Sequence, residues 1–188
     1  GGSNGLGLSI TKELLIRFPR LTVLNIDLDI SPIKDERIKN YKCDLRDSAA
    51  RNKIIDEVKR ASGGKVHLII NNAGMRSNFQ NAKKIQDQDL DSILAVNFFA
   101  PVKLMQGLIP LENGPNQCYV INIASTLAIL SPAKVASYAS SKAALTAFHK
   151  SYSFELENRK VSNIRTLLVV PGQLNTKLFG GFKPPRQF

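Results

Sequence analysis

The chain has 188 residues, of which 43% are hydrophobic and 22% charged, values that fit one globular domain with a substantial core. It contains no run of eighteen apolar residues and no signal-peptide core, so a soluble domain is predicted for these residues. The net charge of +11 is divided among short, scattered groups of bases, and the two cysteines have no short-range partner. Composition therefore predicts no nucleic-acid partner, no disulfide framework and no metal site.

The chain opens with a glycine-rich turn, Gly1-Gly2-Ser3-Asn4-Gly5-Leu6-Gly7, followed by apolar residues at four-residue spacing. This spacing predicts a helix, and Pro19 is expected to end it. Glycines at the start of a helix let the backbone approach a pyrophosphate, whose charge the helix N-terminus stabilises. A flexible chain end is the alternative interpretation of these glycines.

The next apolar run is followed directly by Asp27, twenty residues after Gly7. Dinucleotide-binding folds place a carboxylate at this distance to bind the ribose hydroxyls. No Lys or Arg lies in the turn or directly beside Asp27 to receive a 2′-phosphate, so the sequence favours NAD over NADP. A surface carboxylate at a strand end is the alternative.

Strand-like and helix-like segments alternate along the whole chain. The expected strands are Leu21–Ile26, Val66–Ile70, Cys118–Ile123 and Ile164–Val170. Asp44 or Asp47 is expected to cap the second helix, Gly63 to end it, and Ser137 to cap the helix that carries Tyr138. The alternation predicts an α/β fold with a doubly wound parallel sheet, in one domain over residues 1–188.

Two polar features follow predicted elements. Asn71-Asn72-Ala73-Gly74 comes directly after an apolar strand, where open α/β sheets bind ligands, although an ordinary turn is an alternative. Pro101 follows Asn97 by four residues and removes the usual partner of the Asn97 carbonyl. That carbonyl is then free to hold an ordered water, unless the proline makes an ordinary kink.

Tyr138-Ala-Ser-Ser-Lys142 lies thirteen residues after Ser125, and four-residue spacing places the phenol and the ammonium on one helix face. Lowering a tyrosine pKa from about 10 to near 7 takes about 4 kcal/mol. An ammonium about 5 Å away supplies on the order of 3 kcal/mol. His149 lies about 16 Å further along the helix and so is no rival base. A proton-transferring pair is predicted, with a surface helix pair as the alternative.

In these motifs the chain resembles the short-chain dehydrogenase/reductase family over essentially all 188 residues. The family's Thr-Gly-x-x-x-Gly-x-Gly turn is matched from its first glycine by residues 1 to 7, and its Asn-Asn-Ala-Gly by residues 71 to 74. The family's catalytic tetrad matches Asn97, Ser125, Tyr138 and Lys142. The resemblance implies NAD(P)-linked interconversion of a primary or secondary alcohol and its carbonyl.

The resemblance also implies roles for individual residues. Tyr138 is the general acid/base, Ser125 fixes the substrate oxygen and Asn97 holds a relay water. Lys142 hydrogen-bonds the nicotinamide ribose, Asp44 lies on the adenine side and Thr176 contacts the carboxamide. The implied cofactor contacts are Gly1, Ser3, Asn4, Gly5, Leu6, Gly7, Asp27, Asp44, Leu45, Asn72, Ala73, Gly74, Tyr138, Lys142, Pro171, Gly172 and Thr176.

Family members wind the sheet in the order 3-2-1-4-5-6-7, with the first strand in the middle. The chain starts after that strand, and the seventh strand is not found before Phe188. The expectation is therefore an incomplete domain, with a gap between the second and fourth strands of the family order and two unpaired edges facing it.

Mostly apolar residues follow Ser125, the amide turn and Pro171-Gly172, which predicts a substrate with an apolar body. They are Thr126, Leu127, Ala128, Met75, Phe79, Leu174, Leu178, Phe179 and Phe182, and a lid packing on the core is the alternative. The segment resembles the steroid, retinol and lipid dehydrogenases of the family.

The resemblance implies a cytoplasmic protein, membrane-associated at the endoplasmic reticulum or a lipid droplet if an anchor precedes Gly1. It also implies a homodimer through the helices of Asn97 and Tyr138, with packing inside one chain as the alternative for the small residues on the Tyr138 helix. A dinucleotide-binding scaffold or sensor without catalysis is the rival function.

Overall fold

The computed structural model describes residues 1–174, 176 and 178. Helices and strands largely alternate along them, as the sequence predicts. The helices are α1 (Gly5–Arg17), α2 (Ser48–Ser62), α3 (Asp87–Leu94), α4 (Ala100–Leu108), α5 (Leu127–Leu130) and α6 (Ala136–Asn158), with a 3-10 turn at Ala82–Lys84 and a π-helical turn at Ala95–Phe99. The strands are β1 (Val23–Asp27), β2 (Ile38–Lys42), β3 (Leu68–Asn71), β4 (Cys118–Ile123) and β5 (Ile164–Val169).

All strand pairs are parallel and fall into two sheets, one formed by β1 and β2 and the other by β3, β4 and β5 in that order. Asn25 faces Asn40 across the first sheet, and Asn71 faces Asn122 across the second. Because the strands of a sheet run in one direction, their carboxyl ends lie at one edge, where ligands bind in such folds.

The expected gap in the sheet is present. A cavity of about 590 Å³ is lined by both β1 and β3, and by residues of α1, α2 and α4. Among the described residues, no strand joins β1 to β3 by a backbone ladder. The glycine turn and the catalytic helix are therefore positioned by different sheets.

The main hydrophobic core lies between α2, α4 and the second sheet. Its fully or nearly fully buried members include Ile54 and Val58 of α2, Met105 of α4, and Cys118 and Val120 of β4. The helices are thus held by packing of one apolar face rather than by their own propensity. No helix in the described part of the chain has the length and apolarity to cross a bilayer.

The structure confirms some predicted helix ends and corrects others. Asp47 caps α2 by accepting from the N–H groups of Ala49 and Ala50, whereas Asp44 does not cap it. Gly63 ends α2 in the left-handed conformation that favours glycine. The prediction for Ser137 is wrong, because α6 begins at Ala136 and Ser137 lies inside its first turn.

The sequence also missed β2. Lys39, Asn40 and Lys42 interrupt its apolar pattern, and Lys39 and Asn40 are exposed. Ladder bonds to β1 define this strand, and charged side chains are common on edge strands because they discourage further pairing.

Candidate active site

Ser125, Tyr138 and Lys142 are brought together at the carboxyl end of β4. Ser125 follows the strand by two residues, and the other two lie on α6. Their side chains are buried: 6% of Ser125, 3% of Tyr138 and 3% of Lys142 is exposed. The Ser125 hydroxyl hydrogen-bonds to the Tyr138 phenol. The helix face that carries Tyr138 and Lys142 is therefore turned toward the protein interior, which excludes a surface helix pair.

Lys142 is held by the backbone of β4. Its Nζ donates to the Ile123 carbonyl at 2.8 Å, and among the described residues no carboxylate forms a salt bridge with it. Burial of the ammonium lowers the pKa of Lys142 to about 8. An amine in this state holds a proton near neutral pH and releases it readily, as proton-transfer sites require.

The tyrosine pKa differs from the expectation. Burial raises the pKa of Tyr138 above its ordinary value, and the hydrogen bond from Ser125 lowers it only in part. Lys142 Nζ donates to the Ile123 carbonyl, and desolvation of the phenolate is the largest influence on the Tyr138 pKa. The role of Lys142 in stabilising the phenolate stays a prediction.

Asn97 lies in the π-helical turn and is fully buried. Its Oδ1 accepts from the Met75 N–H at 2.7 Å, and its Nδ2 donates to the Met75 carbonyl at 2.8 Å and to the Ser141 Oγ at 2.9 Å. Ser141 in turn donates to the Tyr138 carbonyl at 2.7 Å. The Asn97 side chain thus clamps the loop after the amide turn onto the helix that carries Tyr138, and the relay water beside Asn97 stays a prediction.

Gly74 lies where the amide turn meets this cluster. A Cβ at Gly74 would lie 3.7 Å from both Asn97 Oδ1 and Lys142 Nζ. The predicted tetrad and the Asn-Asn-Ala-Gly turn therefore share one site.

The glycine turn is fixed to the end of β1. The Gly2 N–H donates to Asn25 Oδ1 at 3.0 Å, and the Ser3 N–H donates to Asp27 Oδ2 at 2.9 Å. Ser3 Oγ donates to the Asp29 carbonyl and accepts from Asn25 Nδ2. The predicted ribose ligand Asp27 therefore also anchors the turn.

The other predicted cofactor contacts lie around this turn. Asn72 Nδ2 donates to the Gly1 carbonyl at 2.6 Å, which joins the amide turn to the glycine turn. Gly5 has a φ of +50°, and a Cβ there would lie 3.1 Å from the Thr176 side chain. The Pro171 carbonyl accepts from the Thr126 N–H. Segments after β1, β3, β4 and β5 thus converge at one edge, with Leu6 in the first turn of α1, Ala73 against Gly1, and Gly172 in open space.

Asp44 and Leu45 follow β2 beside this edge. The Asp44 carboxylate forms a salt bridge with Arg46 at 2.6 Å, and this hydrogen-bonded pair lowers the Asp44 pKa. The backbone N–H of Cys43 donates to the Asp27 carbonyl, so the two acidic strand ends are neighbours. Leu45 is buried in the core, which limits it to backbone contacts with a ligand.

Fewer contacts define the residues that are predicted to line the substrate pocket. Arg76 lies over the Phe79 ring, with 5.7 Å between the guanidinium carbon and the ring centroid. Ile129 and Leu130 of α5 are 71% and 63% exposed just after Ser125. Phe179 and Phe182 lie outside the described residues.

Three positioning residues were missed by sequence reasoning: Ser141, Asn25 and Asn122. Asn25 and Asn122 interrupt apolar strands as single amides, and each is at most 4% exposed. A lone amide within an apolar strand is a usable signal, because buried polar groups require partners. Ser141 gives no such signal, since it stands beside another serine in the same helix.

The chain belongs to the short chain dehydrogenase family, whose model matches residues 1–186. It is 52% identical over 188 residues to an uncharacterized oxidoreductase of Saccharomyces cerevisiae, TDA5, an alignment that covers 100% of this chain and 58% of that protein. The predicted family and the Rossmann-like α/β fold are thereby confirmed.

Two further likenesses extend this result. The chain is 28% identical over 155 residues to retinol dehydrogenase 10-B of Xenopus laevis, covering 82% of this chain and 45% of that protein. A short chain dehydrogenase of Burkholderia cenocepacia, solved in complex with NADP, superimposes with a TM-score of 0.81 at 25% identity, covering 98% of this chain and 75% of the other. The chain thus spans about half the length of these curated relatives.

Proposed function

We propose that the protein is a nicotinamide-dinucleotide-dependent oxidoreductase that interconverts an alcohol and its carbonyl. The observation that carries this proposal is the buried cluster of Ser125, Tyr138 and Lys142 beside the amide turn. A phenol, a hydroxyl and an amine that share a dry site can hold a substrate oxygen and move its proton. Family membership supports the same reaction class.

The residues at the start of α1 fit a dinucleotide. Asn4 makes no side-chain capping bond there and the first turn holds no acidic residue, whereas Asp47 caps α2. The uncapped N–H groups and the helix dipole suit a pyrophosphate. A nicotinamide dinucleotide bound at this edge supplies or accepts the hydride. The glycine turn, Asp27 and the amide turn hold and orient it.

NAD is the proposed cofactor rather than NADP. The Asp27 carboxylate lies at the end of β1 and is held toward the glycine turn by Ser3. A fixed negative charge beside the ribose accepts its hydroxyls and repels a 2′-phosphate. The fold also admits NADP, which the Burkholderia cenocepacia neighbour binds.

Tyr138 takes the alcohol proton in oxidation and returns it in reduction. Ser125, already bonded to the phenol, places the substrate oxygen. The Lys142 ammonium, with its pKa of about 8, stabilises the phenolate and would hydrogen-bond the nicotinamide ribose. That charge offsets part of the burial that raises the phenol pKa, and an oxidised nicotinamide, if bound at this edge, would supply further positive charge.

The proposed substrate is a primary or secondary alcohol with an apolar body. Ile129 and Leu130, in the short helix after Ser125, are exposed, and Leu174 is 37% exposed after β5. A retinol dehydrogenase among the relatives supports this class, because apolar groups at a pocket rim favour ligands that bury their own apolar area.

The test uses the protein at its natural length with NAD or NADP and a panel of apolar and polar alcohols, followed by absorbance of the reduced cofactor. We expect turnover with NAD and an apolar alcohol, at a rate about tenfold above that with NADP. Cofactor binding without turnover of any alcohol or carbonyl would instead support the scaffold or sensor function. Absence of dinucleotide binding would exclude both.

A further inference from the structure

A chain of buried polar side chains crosses the second sheet below the active site. Asn71 and Asn122 are opposite each other in β3 and β4, and Asn71 Nδ2 donates to Asn122 Oδ1 at 2.7 Å. Asn71 is 5% exposed and Asn122 is fully buried. Buried amides in an apolar sheet require satisfied partners, so this pair depends on what Asn122 meets at its other end.

Asn122 meets His149, a residue of α6. Asn122 Nδ2 lies 3.0 Å from His149 Nδ1 and also approaches the Met105 sulfur at 3.5 Å. His149 is 5% exposed, whereas His67, the other histidine of the chain, is exposed. The histidine that lies too far from Tyr138 to act as a base is therefore the one that is built into the interior.

The imidazole fixes the orientation of both amides. With Asn122 Nδ2 as the donor, His149 Nδ1 must accept, so the ring is neutral and carries its proton on Nε2. Burial lowers the pKa of His149 below its ordinary value, which agrees with a neutral ring. A proton on Nδ1 would turn the Asn122 oxygen to the ring and set its NH2 group against that of Asn71.

The chain of amides ends beside the dinucleotide site. Asn71 is the last residue of β3, and the next residue, Asn72, donates to the Gly1 carbonyl in the glycine turn. Helix α6, which carries Tyr138 and Lys142, therefore also supports the end of β3, where the amide turn begins. It does so through His149, eleven residues after Tyr138.

We propose that His149 is a positioning residue: through Asn122 and Asn71 it fixes the amide turn against which the dinucleotide binds. The role of the network in cofactor binding rests on the proposed function, whereas its hydrogen bonding does not. His149 acts on the affinity for cofactor rather than on proton transfer, because Ser125, Tyr138 and Lys142 have their own contacts.

The first test reads the hydrogen bonding directly. Nitrogen-15 NMR of histidine-labelled protein at neutral pH, assigned with His149→Asn and His67→Leu, should show His149 as a single tautomer with a bare Nδ1 and a protonated Nε2. A proton on Nδ1, or rapid exchange between tautomers, would overturn the proposal. This result does not depend on whether the protein turns over an alcohol.

The second test compares His149→Leu, His149→Asn and His67→Leu for NADH affinity by fluorescence and for kcat at saturating cofactor. We expect His149→Leu to raise the NADH Kd about five- to tenfold, with kcat within about twofold. His149→Asn, which keeps an acceptor near Nδ1, should recover most of the affinity, and His67→Leu should match the wild type.

An unchanged Kd in His149→Leu, or a loss of affinity in His149→Asn as large as in His149→Leu, would contradict the positioning role of His149. If the leucine variant does not fold, His149→Asn must still bind NADH within about twofold of wild type. If the wild type binds no NADH, the proposed function fails, and the NMR measurement of the His149 tautomer alone decides whether His149 orients the two amides.

Discussion

Each of the two sheets carries a pair of asparagines that face each other in register, and the two pairs have different surroundings. Asn25 of β1 donates to Asn40 of β2 at 2.9 Å, but Asn40 is exposed on an edge strand. In the second sheet Asn71 and Asn122 are both buried, and their chain continues to His149. The first pair bonds directly to the glycine turn, whereas the second ends on the catalytic helix.

The two pairs lie beside groups with different proposed roles. Around the first sheet, backbone N–H groups of Gly2 and Ser3 are held by Asn25 and Asp27, so changes there should alter cofactor affinity and choice. Around the second sheet, buried side chains on α6 contact β4 and the segments beside it, so changes near Tyr138 should alter turnover. His149 joins the two, since it lies on α6 but supports the amide turn.

Apart from Tyr138 itself, the largest effect is expected at Lys142, in the catalytic half. Lys142→Met should lower kcat by about 10²- to 10³-fold, because the phenolate loses its buried ammonium. NADH affinity should fall much less. Lys150→Met, an exposed lysine on the same helix, is the control and should retain full turnover. If Lys142→Met lost only NADH affinity and kept its kcat, the assignment of Lys142 to the catalytic half would be wrong.

The same substitution should stabilise the protein near neutral pH. The folded-state pKa of Lys142, about 8, lies below its ordinary value of 10.5, so folding disfavours the charged form. Below pH 8 the wild type bears this cost, up to about 3 kcal/mol, and it is relieved as pH rises from 8 to 10.5. Thermal or urea unfolding should therefore show Lys142→Met more stable at pH 7, with the difference shrinking by pH 10. A destabilised variant at pH 7 would contradict this balance.

A smaller and different effect is expected at Asp27, in the cofactor half. Asp27→Asn keeps the side-chain shape but removes the charge that repels a 2′-phosphate, so the preference for NAD over NADP should fall about tenfold. Because the catalytic cluster is untouched, kcat with NAD should stay within about twofold. Asp56→Asn removes an exposed charge elsewhere, on α2, and controls for net charge. An unaltered NAD to NADP ratio would show that Asp27 only anchors the turn.

The smallest effect is expected at Ser141, which links Asn97 to the Tyr138 backbone. Ser141→Ala should lower kcat about fivefold and cost about 1 kcal/mol of stability, with KM for NAD unchanged. The neighbouring Ser140 is exposed, so Ser140→Ala is a matched control. Equal kinetics in the two alanine variants would show that the clamp around Asn97 has no part in catalysis.

Much of the fold could be predicted because its signals are local. Apolar periodicity marks α1 and α2, short apolar runs mark β1, β3, β4 and β5, and Asp47 and Gly63 mark the ends of α2. The strand β2 could not be found in this way. Its ladder with β1, rather than its own Ile-Lys-Asn-Tyr-Lys pattern, makes it a strand.

The candidate site likewise has features that local sequence signals predict and features that depend on long-range contacts. Spacing alone places Tyr138 and Lys142 on one helix face, and motif order places Ser125 and the two turns at one edge of the fold. The contacts that hold these groups join residues far apart in sequence, such as Asn97 with Ser141 and Asn122 with His149. No local pattern encodes such pairs, and the raised phenol pKa likewise follows from burial that only the fold creates.

The central claim is that Tyr138 moves the proton while hydride passes to a bound dinucleotide. The direct measurement follows deuterium from the carbinol carbon of a turned-over alcohol to NAD by mass spectrometry, in single turnovers of wild type, Tyr138→Phe and Tyr152→Phe. Tyr152 lies on the same helix and serves as the control. We predict transfer of the label by wild type and Tyr152→Phe, slowed at least about 10³-fold in Tyr138→Phe. Equal transfer rates in Tyr138→Phe and wild type, or no transfer by the wild type, would contradict the account.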